Sequence, residues 1–91
     1  MATSLRDVRA AFIGTCAGAR AAGLDPTDWV LEEGSSTYGR LWRIIGRDPR
    51  TGGHYFVPGV SVPLGTTRSE ALRSLEAMRA AWSALTDRRA S

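Results

Sequence analysis

Apolar residues recur near the start of the chain at three- and four-residue intervals, Leu5, Val8, Phe12, Cys16 and Ala19, and this stripe predicts a helix over 4–22 with one buried face. Ser4 is placed to cap that helix, Asp7 falls in its first turn, and Gly23 followed by Asp25-Pro26 ends it. The period then shortens. Trp29 to Glu32 give a strand signal that predicts a first strand over about 28–33, closed by the small polar run Gly34, Ser35, Ser36, Thr37. A second strand over 37–47 is rich in aromatic and β-branched residues. The turn Asp48-Pro49-Arg50-Thr51-Gly52-Gly53 leads into a third strand over 54–58. Two prolines and two glycines between Pro58 and Gly65 mark a loop. Thr67-Arg68-Ser69-Glu70 is a capping box opening a helix over 67–86, whose apolar stripe is Leu72, Leu75, Met78, Trp82 and Leu85, with 87–91 expected to fray.

The order α-β-β-β-α predicts a single α+β domain over residues 1–91, a three-stranded antiparallel sheet with two helices packed on one face. Alternation in the second strand sorts its side chains into Tyr38, Arg40, Trp42, Ile44 and Leu41, Arg43, Ile45, Arg47. Turning the second set inward would bury an unpaired Arg43, at a cost of several kcal/mol, so Trp42 and Ile44 are expected to face the helices. Leu41, Arg43, Ile45 and Arg47 then form an outward strip, half apolar and half cationic, and are the candidate protein-contact residues.

Composition narrows the function classes. Charged residues at 23% and hydrophobic residues at 43% are those of a globular chain, and no apolar run approaches the roughly 20 residues that span a bilayer. The early charges Arg6 and Asp7 leave no apolar centre for a signal peptide, and Cys16 is the single cysteine, so a cytoplasmic location is expected, in the host cytoplasm if the chain is phage-encoded. All 12 basic residues are arginine, and Lys, Asn and Gln are absent, as a GC-biased genome would produce. The net charge of +3 therefore speaks only weakly for an anionic partner.

No CxxC, HxxxH or carboxylate cluster offers metal-ligand spacing. His54 reads as a turn or strand residue and Cys16 as a core residue. Catalysis would need His54 beside a hydroxyl and an orienting acid such as Asp48, or a metal cluster drawn from Asp28, Glu32, Glu33 and Asp48, where alternation separates Glu32 from Glu33. No enzyme activity, metal or cofactor is expected. Arg40, Arg43, Arg50 and Arg68, interleaved with Tyr38, Trp42 and Tyr55, are the candidates for phosphate contact and stacking if a nucleic acid is bound.

The segments WVLEEGSSTYGRLWRIIGRD, TGGHYFVPGVSVPLG and TTRSEAL, with the first helix before them, resemble the double-stranded-RNA-binding-domain fold in element order and spacing, over nearly the whole chain. That family binds RNA through a lysine cluster opening its second helix and a Pro-His loop between its first strands. Here only Arg68 is cationic among Thr66, Thr67, Arg68 and Ser69, and Gly34, Ser35, Ser36, Thr37 hold no histidine, so the resemblance implies the fold and not the RNA function. GGHYFVPG and GTTRSEAL also resemble HicB-type antitoxins. The TYGR, TGGH and TRSEA-like segments resemble small uncharacterised actinobacteriophage proteins, a likeness that brings no established activity.

The expectation is a small non-enzymatic phage-type binding module that contacts a host or phage protein, or a second copy of itself, through the exposed sheet face. A nucleic-acid-binding protein is the alternative, and an antitoxin-like regulator a further one. No membrane contact is expected.

Overall fold

The computed structural model describes residues 3–36 and 39–90, and its five elements are α1 (Leu5–Ala21), β1 (Trp29–Ser36), β2 (Gly39–Arg47), β3 (His54–Tyr55) and α2 (Arg68–Ala90). The strands form one antiparallel sheet in the order β1-β2-β3, so the domain is of the α+β class with β2 at the centre. The expected cap on α1 is present: the Ser4 hydroxyl accepts the Asp7 amide, and the Asp7 carboxylate accepts the Ser4 amide. At α2 the Thr67 hydroxyl accepts the Glu70 amide, while the Glu70 carboxylate takes the hydroxyls of Thr66 and Thr67.

Register fixes which sheet face is dry. Trp29 lies opposite Gly46, Leu31 opposite Ile44 and Glu33 opposite Trp42, and directly opposed residues share a face. Trp29, Trp42 and Ile44 from this set join Val8 and Ala19 of α1 and Ala71 and Leu75 of α2 in one core, closed at the side by Val60 and Leu64. Ile44, Leu75 and Val8 are fully buried, each contributing roughly 1.5–3 kcal/mol by leaving water. Trp82 extends the core, its ring centre 6.1 Å from that of Trp29. Gly46 is required by the same geometry: a Cβ there would fall 2.1 Å from the Tyr55 ring, which lies across it from β3.

Three boundaries differ from the sequence expectation. β1 runs on through Gly34, Ser35 and Ser36, which pair with Leu41, Arg40 and Gly39, because ladder hydrogen bonds outweigh the low strand propensity of a small polar run. The expected start of the second strand at Thr37 and Tyr38 lies outside the described residues. β3 is only two residues long, since the Val57 amide bonds the Ser61 hydroxyl and the Val57 carbonyl accepts from Val60 and Ser61, bending the chain away before Pro58. The same edge of β2 is regained later, where the Trp42 amide donates to Gly65 and the Trp42 carbonyl accepts from Leu64. α2 continues to Ala90, and Ser83, Ala84, Leu85, Asp87 and Arg88 are exposed where it runs past the sheet.

The helices meet through small residues. Thr3 Oγ1 lies 2.9 Å from Ser69 Oγ, and Thr15 Oγ1 lies 2.7 Å from the Ala11 carbonyl and 3.0 Å from the Leu75 carbonyl, free to donate to either. Gly18 abuts Arg79, so contacts advance along both helices together and their axes run in the same direction. Thr15 is fully buried, which its polarity hid from a reading based on apolar periodicity. A Cβ at Gly18 would stand 3.3 Å from Arg79 Cγ and 3.8 Å from its Cα, whereas at Gly14 it would meet only the movable Arg79 guanidinium. Gly18→Leu is therefore expected to cost about 2–3 kcal/mol by wedging α2 away, and Gly14→Ala to be within about 1 kcal/mol of neutral. Urea denaturation of the two variants checks this, and equal stabilities would contradict it.

Candidate functional site

The sheet face opposite the helices carries Val30 and Glu32 from β1, Leu41, Arg43, Ile45 and Arg47 from β2, and His54 from β3, as the pairs Val30–Ile45, Glu32–Arg43, Gly34–Leu41 and Arg47–His54 require. The expected contact strip is thus gathered on one face, with Arg43 outward and Trp42 and Ile44 beneath the helices. Its detail differs from the expectation at Ile45, which is only 3% exposed.

The cause is an arch of polar groups over the central strand. Arg43 sends Nη2 to 2.9 Å and Nε to 3.1 Å from Glu32 Oε1, and His54 Nδ1 stands 3.7 Å from Glu32 Oε2. Since His54 lies opposite Arg47 and Glu32 opposite Arg43, the line from imidazole to carboxylate crosses β2 at Ile45. Ile45 is covered by its neighbours and is not a free contact residue. Leu41 is half-buried and Arg47 exposed. The exposed apolar group of this region is Phe56, 68% accessible, whose ring centre lies 5.3 Å from Arg43 Cζ. Arg43 is thus clamped between a carboxylate and an aromatic ring.

The four nucleic-acid candidates are not brought together. Arg40 shares the parity of Trp42 and pairs with Glu33 at 3.2 Å, Arg43 is on the opposite face, Arg50 sits in the turn after β2, and Arg68 opens α2. Two of the four are already neutralised by glutamates. The imagined acidic cluster is likewise divided: Glu32 and Glu33 lie on opposite faces, while Asp28 and Asp48 line an open cleft of about 350 Å³ at the end of the sheet with Trp29, Arg47 and Pro49. Among the described residues no three metal-ligating side chains converge, and no helix is long and apolar enough to cross a membrane. Cys16 is half-buried; burial pushes its thiol pKa up, with Arg20 pulling partly back, so the protonated, weakly nucleophilic form is favoured.

Two groups escaped the sequence reading. Phe56 lies just past the two-residue β3, and its ring stands over Arg43 on the outer face; alternation from His54 across the expected 54–58 strand was the signal that could have placed it there. Arg6, Arg9 and Arg20 surround Ile13 on the solvent side of α1, where Ile13 is 69% exposed, and a helical projection of 5–21 would have found them.

Comparison with family models, with curated proteins and with solved structures finds no match to this chain.

The Glu32–Arg43 pair is partly shielded, so a double-mutant cycle with Glu32→Gln and Arg43→Met is expected to give a coupling of about 0.5–1 kcal/mol in urea denaturation. A coupling of zero would remove the clamp as an ordering device for this face.

Proposed function

We propose that the chain is a small binding module that engages another protein through the outer face of its sheet. The observation that carries this reading is Phe56, an aromatic ring held 68% exposed over the Arg43 guanidinium. Burying such a ring is worth on the order of 2 kcal/mol, the largest apolar gain left on this face. The clamp also holds the ring without prior help from a partner, which lowers the ordering cost of association. The fitting partner is a protein surface with an apolar socket for Phe56, half-buried Leu41 at its rim, and a carboxylate within reach of the exposed Arg47. A nucleic-acid reading draws less support, because Arg40, Arg43, Arg50 and Arg68 do not form one stripe along which a phosphate backbone could run.

The test is affinity capture of the tagged chain from the cells that make it, with and without nuclease, using Phe56→Ser and, as a control on the far side of the molecule, Ile13→Ser. A protein retained by wild type and by Ile13→Ser, indifferent to nuclease and lost with Phe56→Ser, is the expected result. No captured protein, capture that survives Phe56→Ser, or capture that nuclease abolishes would overturn the reading.

A further inference from the structure

The second surface with chemistry of its own is the free edge of β1. In the strand order β1-β2-β3 no strand among the described residues pairs with its outer side, and it is eight residues long. The direction of its peptide groups follows from two contacts. The Arg47 amide donates to the Asp28 carbonyl, and Trp42 uses its own amide and carbonyl toward Gly65 and Leu64 on the far side of β2. Peptide groups alternate along a strand, so Val30, Glu32 and Gly34 bond β2, while the amides and carbonyls of Leu31 and Glu33 point away from the sheet. The Trp29 amide is taken up by the Pro26 carbonyl, which leaves Leu31, Glu33 and, by the same alternation, Ser35 as the open pairing positions, of which Leu31 and Glu33 lie beside the groove described next.

Beside that edge, under the flank of α1 turned away from α2, runs a groove of about 260 Å³ lined by Leu5, Arg9, Leu31, Glu33 and Trp42. A strand added to β1 would direct every second side chain into this groove. Half-buried Leu5 and Leu31 supply its apolar part, over a Trp42 that is itself almost wholly covered. Its cation is Arg9: Glu33 is held by Arg40 at 3.2 Å and Asp7 is spent on the Ser4 cap, so among the described residues no carboxylate stands within ion-pair reach of Arg9 or of Arg6 one turn before it.

The geometry points to an extended, acidic segment of a protein partner that adds a fourth strand to the free edge of β1, placing an apolar side chain against Leu5 and Leu31 and a carboxylate against Arg9. A second copy of the chain fits less well. Antiparallel pairing of two β1 strands through Leu31 and Glu33, about a dyad normal to the sheet, keeps both α1 helices on one face, setting Arg6 and Arg9 toward their equivalents and Glu32 directly opposite its own. An acidic segment meets the same arginines with opposite charge.

The probe is a labelled eight-residue peptide, TVTETVTE, in which Val and Glu alternate on one face of the strand, compared with TVTRTVTR. Fluorescence anisotropy is expected to give saturable binding of the acidic peptide with a dissociation constant on the order of 100 μM, weakened about tenfold by Arg9→Glu and by added salt, and no measurable binding of the arginine peptide. Amide hydrogen exchange of Leu31 and Glu33 should slow when the acidic peptide is added. Arg9 is exposed, so its replacement leaves the fold intact. Equal binding of both peptides, binding without protection of Leu31 and Glu33, or no binding at millimolar peptide would each overturn the inference. Protection of the same amides by chain concentration alone, with a doubled mass in light scattering, would overturn it in favour of the second copy.

Discussion

Every other element of this domain is attached to β2. One of its edges carries β1, the other carries β3 and, farther along, the Leu64–Gly65 contact, and the face formed by Trp42 and Ile44 receives both helices. The constraint that follows is one of parity. With β2 held on its other edge and face, a one-residue shift of β1 against it would place Val30 and Glu32 under the helices and Trp29 and Leu31 in water, so register and burial stand or fall together. The Glu32–Arg43 bond lies directly across that pairing and favours the observed register from the wet side, as the Leu31–Ile44 contact does from the dry side.

The same parity explains why so much of the fold was legible from residues alone. Alternation in 40–47, the two helical stripes and the Ser4 and Thr67 signals were enough to predict the element order, the dry face and where the helices start. At α2 only the Thr67 half of the capping box forms, the Glu70 carboxylate taking the Thr66 and Thr67 hydroxyls in place of a backbone amide. What escaped was decided by groups that are distant in sequence. The extension of β1 through Gly34 and Ser36 depends on partners across the hairpin, and the early end of β3 on the Ser61 hydroxyl reaching back to Val57. Thr15 is buried because a carbonyl of the other helix lies beside it.

The outer face shows the same division. That Leu41, Arg43, Ile45 and Arg47 share a side follows from a period of two, but which of them meets solvent does not. His54, from the opposite side of β2, leans toward Glu32 across Ile45, and Phe56 takes up the exposure that Ile45 gives away. Periodicity reports which way a side chain leaves the backbone; coverage depends on whatever crosses above it.

The interrupted edge of β2 has a consequence for how this chain can vary. Tyr55 sits opposite Gly46 and Gly65 opposite Trp42, so the two clasps are four residues apart along the strand, roughly 13 Å. Both ends of the intervening excursion are pinned to the same rigid support, and Val60 and Leu64 are the buried plugs within it. Val62 and Pro63, exposed between those plugs, belong to neither clasp, so their side chains can change while the sheet beneath keeps its geometry, whereas Ser61 is tied to the Val57 amide.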